Sequence, residues 1–384
     1  MCLPLISLSI MAQNNYQKQL QAEMINVLDG SIIEVEAGKF NFSKSISLEG
    51  KKRIVIRGKG IDKTILSFKE QTEGAEGIRI SNCEQITVEN LTIQDAKGDC
   101  IKAHHVKGII FRNMKVEWTG KPKAQNGAYG FYPVECDSVL IEKNIAIGAS
   151  EAGFYVGQSK NIILKNNKSY HNVVGYEIEN SINVSVFQNE ATANAAGLVV
   201  LDLPRLVLKK GANTKIYDND LHDNNYENFS NLGNIVDKIP SGTGFLILAA
   251  SNIEFYNNRV SNNKTLSCGI MSFKSTGLIT HDKEYDAYPK AIYIHKNTFV
   301  RKPRKPSYEG LVSEVSKHQL KFGGKLPHII FDGVLNPKTL DNNGKLKPEF
   351  KICIKNNVNE TFANLDFAND YRNISTDLSD YLCE

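Results

Sequence analysis

Six residues with side chains able to do acid–base work fall at matched places in a repeating pattern. Lys102, His104, Tyr132, Tyr155, Glu177 and Glu179 are each the third or fifth residue of a short apolar segment. The segments begin Cys100-Ile-Lys-Ala, Gly130-Phe-Tyr-Pro, Gly153-Phe-Tyr-Val and Gly175-Tyr-Glu-Ile. Around them, Arg79 holds the third place of the preceding segment, and His105, Glu135, Gln158 and Asp202 hold the sixth place of theirs. In a strand, alternate side chains share a face, so third and fifth residues point one way and second and fourth the other. The second and fourth places are mostly Ile, Phe, Leu and Val, which makes them the core and turns the chemical set outward.

Such a set serves three chemistries. Removing the C5 proton of a uronic acid takes a base, a cation to neutralise the sugar carboxylate, and an acid for the leaving oxygen or the opposite face. Tyr, His and Lys fill these roles once neighbours tune their pKa values. Here Tyr132 or Tyr155 would be base or acid, and Lys102 and His104 would surround the carboxylate. Glu177 and Glu179 would hold hydroxyls or raise a neighbour's pKa. An inverting glycosidase instead needs two carboxyl groups ~6.5–9.5 Å apart, a role open to Glu177 with Glu179 or to Glu179 with Asp202. A binding groove needs only aromatic platforms, Tyr132 and Tyr155, with polar rims at Arg79, His105, Glu135, Gln158 and Asp202. Plain solvated decoration would more readily use Thr, Ser and scattered Lys. Lyase or epimerase chemistry uses the whole set; the other two readings stay open.

The elements that must position these residues are short strands, repeated. Segment starts at Gly77, Cys100, Gly130, Gly153, Gly175, Gly197, Gly244 and Gly269 differ by 23, 30, 23, 22, 22, 47 and 25 residues. A unit so short cannot bury its own apolar side and must stack on its copies. With strands and turns in each unit and no helical period, the expected fold is all-β, a single-stranded right-handed parallel β-helix. Coils ~4.8 Å apart would gather Lys102 to Glu179 into one strip about 15 Å long. A second register, Asn90, Asn113, Asn144, Asn167, Asn189, Asn219, Asn258 and Asn297, reads as an internal ladder of stacked amides rather than a site.

The rest of the chain frames this solenoid. Residues 1–12 resemble the back half of a secretory signal peptide, which makes the protein secreted, periplasmic or cell-surface. Residues 13–29 are expected to form a helix capping the exposed strand edges, residues 30–302 the β-helix, and residues 303–384 an extension packed on it. Insertions at 117–129 and 203–243 must project as loops, and the Val, Leu and Met that follow Glu179 on the outward strip should lie beneath them or the tail. No segment reaches the ~18 apolar residues of a membrane span, and 46 basic against 42 acidic residues give no field for nucleic acid. The seven cysteines include no C-x-x-C, and the reading calls for no metal or cofactor. Cys83, Cys100, Cys136 and Cys268 read as buried; Cys353 and Cys383 could close a disulfide in an exported protein, and whether they pair is not legible. Oligomeric state is not legible.

Gly130-Phe-Tyr-Pro-Val-Glu-Cys-Asp, Gly153-Phe-Tyr-Val-Gly-Gln-Ser, Gly175-Tyr-Glu-Ile-Glu-Asn-Ser and Leu201-Asp-Leu-Pro resemble exported bacterial right-handed β-helix repeat proteins of the carbohydrate-binding and sugar-hydrolase superfamily. The resemblance spans roughly residues 30–300. That superfamily includes pectate-lyase-like proteins and mannuronan C5-epimerases, whose Asp-Pro-His-Asp motif follows a Tyr-Gly. Here Tyr129-Gly130-Phe131 leads into Tyr132-Pro133-Val134-Glu135, keeping the Pro and replacing Asp, His and Asp by Tyr, Val and Glu. The calcium-binding carboxylate cluster of pectate lyases is absent from this face. The resemblance implies a polysaccharide partner, and Arg79, Lys102, His104 and His105 at one end of the strip make an acidic one the better fit.

Overall fold

The computed structural model describes residues 5–313, 316 and 322–383. Among them, three sheets of 11, 10 and 11 strands run the length of the molecule. The first contains Ile32–Glu34 through Ile352–Lys355, the second Gly38–Asn41 through Thr298–Val300, and the third Lys44–Glu49 through Phe362–Asn364. Each coil gives one strand to each sheet, except the last, which gives none to the second, and the ladders are parallel, as in Phe131↔Phe154 and Tyr176↔Leu198. This is a right-handed parallel β-helix with an N-terminal helix.

Second-position residues Ile101, Phe131, Phe154, Tyr176 and Leu198 are stacked inside, as the alternation requires. Aromatic rings continue the stack at the coil spacing, with Phe131–Phe154 centroids 5.0 Å apart and Phe154–Tyr176 4.9 Å apart. Cys83, Cys100, Cys136 and Cys268 are buried free thiols. The amide ladder is present from Asn144 through Asn167, Asn189, Asn219, Asn258 and Asn297 to Asn357, each Nδ2 donating to the next Oδ1. Asn90 and Asn113 stand outside it, at left-handed turn positions (φ 60° and 49°) one residue earlier in the coil. Leu91 and Met114 take the inward place instead. A second ladder, Asn172–Asn194–Asn224–Asn263, lines the turn between sheets two and three.

The N-terminal helix runs Leu5–Asn26, unbroken at residue 12 and longer than the 13–29 segment read from sequence. It lies on the edge strand Lys44–Glu49. Gln17 donates to the Lys44 carbonyl and accepts from the Ser43 N–H, and Gln21 does the same with the carbonyl and N–H of Ser47. Leu20 and Met24 bury beside them. Two glutamines one helical turn apart thus stand in for the missing neighbouring strand.

The 203–243 insertion is two loops. Strands Ala212–Tyr217 and Asp220–His222 keep the coil intact between residues 202–211, which leave where sheet three turns to sheet one, and residues 223–242, which leave where sheet two turns to sheet three. Strands Ile329–Phe331, Ile352–Lys355 and Phe362–Asn364 carry the solenoid beyond residue 302. Cys353 and Cys383 form a disulfide with Cα atoms 5.4 Å apart. In the coil of Gly269 the register differs by two from the sequence alignment, since Gly269, not Met271, pairs with Leu246. A shift of two leaves every face unchanged, so Met271 still points outward.

Candidate functional site

The outward face of sheet three changes character along the stack. Its far end, Val199, Leu201, Leu246, Leu248 and Met271, forms a second apolar cluster with Val236, Ile239 and Leu326 from the loops above it. The near end, at Arg79 and Lys102, stays open. The chemical residues straddle the boundary. Arg79 and His105 are exposed, and Lys102, His104, Tyr132, Glu135 and Gln158 are half-buried. Tyr155, Glu177, Glu179 and Asp202, expected to face solvent, are buried at 4%, 1%, 8% and 4% exposure. They do point away from the coil interior, but the 223–242 loop and its neighbours close over them.

Three tyrosines form the centre. Tyr129 rings lie 4.6 Å from both Tyr132 and Tyr155, and Tyr132 meets Tyr155 edge-on at 4.8 Å. Tyr155 Oη donates to Glu179 Oε1 at 2.8 Å and Tyr129 Oη to Glu151 Oε2 at 2.7 Å. Asn234 of the covering loop donates to the other Glu151 oxygen, tying lid to site. At the open side, Lys102 Nζ sits 4.6 Å over the Tyr132 ring and 4.0 Å from Glu76 Oε1. Asp99 accepts from the Tyr129 N–H at 3.3 Å.

Burial dominates the electrostatics. It raises Asp99 to about 7 against the pull of the Lys102 charge, and Glu179 to about 7 against the Tyr155 hydrogen bond. Glu177 is pushed well above the carboxylate range by burial and then by Glu179 and Glu151; its Oε2 is buried without a hydrogen-bond partner. Burial, with the carboxylates around them, also raises Tyr129, Tyr132 and Tyr155. The phenols are therefore protonated donors at neutral pH, while Asp99 and Glu179 are poised to gain or lose a proton. Asp99, Tyr129 and Glu151 lie at or just before the strand start and were outside the columns that alternation picks out. A column one place before each segment, Asp99 then Tyr129, would have found two of them.

The remaining residues separate into two groups. Asp202 accepts from the Gly211 N–H at 3.0 Å, and Gln158 Oε1 from the Val207 N–H at 2.7 Å, so both hold the 202–211 loop. Burial raises Asp202 to about 7. His104 and His105 stack with ring centroids 3.8 Å apart and both point Nε2 at Glu135 Oε2, at 3.1 and 2.5 Å. These three ligand atoms lie within 4.8 Å of one another, a donor set a divalent cation could use. Glu135 comes from the next coil, so the trio is invisible in linear spacing.

A right handed beta helix region model matches residues 76–224 and 123–301, more than half of the 384 residues. The chain belongs to the right-handed β-helix family. Among solved structures, this β-helix is similar to the A-module of the mannuronan C-5 epimerase AlgE4 from Azotobacter vinelandii, at 15% identity and TM-score 0.53, over 83% of this chain and 89% of that one. It is also similar to an alginate lyase from Paenibacillus sp. str. FPU-7, at 13% identity and TM-score 0.45, over 74% and 96% of the two chains. At these identities the likeness concerns the fold. Among curated proteins no match is found.

Proposed function

We propose that this β-helix acts on a uronic-acid polysaccharide by removing the C5 proton, with elimination or epimerisation as the outcome. The observation that carries the reading is the Asp99–Lys102–Tyr132 group at the open end of the sheet-three face. A carboxylate raised to about 7 is a base matched to neutral pH. Lys102, beside it, neutralises the sugar carboxylate and so stabilises the carbanion that forms when C5 loses its proton. Tyr132, kept protonated by burial and by Asp99, delivers a proton to the leaving glycosidic oxygen or to the opposite face of C5. Tyr155, Glu177 and Glu179 are covered, so they position Tyr132 and Tyr129 and set their protonation rather than meet the sugar. Arg79 extends the cationic rim along which an acidic chain would lie, with His104 beside it. The epimerase and alginate lyase of similar fold act in the same direction as an analogy only.

The glycosidase reading with Glu179 and Asp202 loses support, because both carboxyls are buried and Asp202 is engaged by the 202–211 backbone. Export belongs to the same proposal, since such polymers lie outside the cell and the Cys353–Cys383 disulfide suits an oxidising compartment. The test is incubation with alginate, pectate and sulfated glycans, following unsaturated-uronate absorbance, reducing ends and epimer ratio by NMR. Absorbance with reducing ends indicates elimination, and a changed epimer ratio alone indicates epimerisation. Reducing ends without absorbance indicate hydrolysis. Silence in all three overturns the enzyme reading in favour of a binding or scaffold protein.

A further inference from the structure

Six coils beyond Tyr132, where the chain leaves sheet two after Thr298–Val300 and returns to sheet three at Ile329–Phe331, a cavity of about 380 Å³ opens. Five cations line it: Lys264, Arg301, Lys302, Arg304 and Lys325. Arg301 is held in place by Nη1 donating to the Leu326 carbonyl at 2.9 Å and Nη2 to Ser267 Oγ at 2.8 Å. Its Nε is buried with no hydrogen-bond partner. His328, also in the wall, engages Ser267 Oγ through Nδ1 at 2.9 Å. Burial and the Arg301 charge press His328 down to about 4, so it adds no charge. Burial lowers Arg301 to about 10 and also lowers Lys264, which a nearby Glu309 partly restores.

The opposing charge is thin. Among the described residues, Arg304 approaches Asp223 at 3.9 Å, while no ion pair engages Lys264, Arg301, Lys302 or Lys325. Converging cations in a concave, partly desolvated wall repel one another and lower their own proton affinity. Those two bonds use two of the five guanidinium N–H groups, and such a planar fork of donors is the usual complement of a two- or three-oxygen anion. Val300, Pro303 and Pro306 supply an apolar side against which a ring-sized body could lie.

We propose that this cavity is an oxyanion-binding site, taking a carboxylate, sulfate or phosphate group through Arg301 and the lysines around it. The chemistry is shared by an acidic sugar unit and a free inorganic anion, and the site is independent of the tyrosine–carboxylate cluster and of the reaction assigned to it.

The full chain would be titrated calorimetrically with sodium sulfate, phosphate and glucuronate, against sodium chloride at matched ionic strength. The expected result is saturable binding of at least one oxyanion beyond chloride, weakened about tenfold by Lys302→Gln and by Lys264→Gln. Both variants change side chains at the cavity rim, and a circular dichroism spectrum like that of the wild type would certify their fold. Tighter binding of glucuronate would assign a sugar ligand; tighter binding of sulfate or phosphate would assign an inorganic one. No excess over chloride, or equal binding in wild type and the Lys264→Gln/Lys302→Gln double variant, would overturn the proposal.

Discussion

Asp99 and Tyr132 share a lysine neighbour and are biased toward opposite roles. Burial moves Asp99 up to about 7 and keeps the Tyr132 phenol protonated. If Asp99 is the base, activity rises as pH climbs through about 7 and Asp99 ionises. Asp99→Asn should cut kcat by about 10²–10⁴-fold and abolish that ascending limb; a retained limb would assign the base elsewhere. The buried acids also set a stability profile. Glu177 and Glu179, with Asp99 and Asp202, hold protons in the folded state that the unfolded chain releases above about pH 4. Their contribution to stability is therefore fullest below that pH and is lost as pH rises toward and through about 7. Glu177→Gln should make the decline shallower and add on the order of 1 kcal/mol at pH ~8, measured by urea unfolding across pH. Outward direction was legible for these residues from the alternation of Tyr-Val and Glu-Ile-Glu. Their burial was not, because it depends on loops folding back from distant positions.

At the scale of elements, the repeat was legible because each coil must hide the same two apolar places, and Phe131, Phe154 and Tyr176 occupy them. What escaped were details that leave the faces unchanged: the two-residue slip at Gly269, and the strands 212–217 and 220–222 hidden within an apparent insertion. The asparagine ladder was half-read, since Asn90 and Asn113 differ from Asn144 by one place that sequence alone does not resolve. The ladder has a measurable weight. Asn189 donates to the Leu164 carbonyl and to Asn219, and accepts from the Asn167 N–H. Asn189→Ala leaves these groups buried and unpaired and should cost about 2–4 kcal/mol. A loss under 0.5 kcal/mol by urea unfolding would mean that the ladder contributes little.

Across the whole molecule, one face of a uniform solenoid is made special by what leaves the coils. Residues 223–242 close the far part of sheet three, with Asn234 reaching Glu151 and Asn231 reaching the Ala124 carbonyl of the other insertion. The near part stays open at Lys102 and Tyr132. The tail is tied down by Cys353–Cys383, a closure over 30 residues. Reduction should destabilise the protein by about 3.6 kcal/mol in a chain-entropy view, read as a lower melting temperature; an unchanged one would mean that the tail is held by packing alone. Elimination and epimerisation both require loss of the C5 proton, whichever product follows. The most direct test is therefore NMR of a uronic-acid polymer incubated with the protein in deuterated water. With wild type, either deuterium enters C5 of the epimerised units or the C5 proton disappears as a C4=C5 bond forms, and both changes are lost with Asp99→Asn and Tyr132→Phe. Cleavage or modification of the polymer with the original C5 proton retained, or equal change with wild type and both variants, would contradict C5 proton removal.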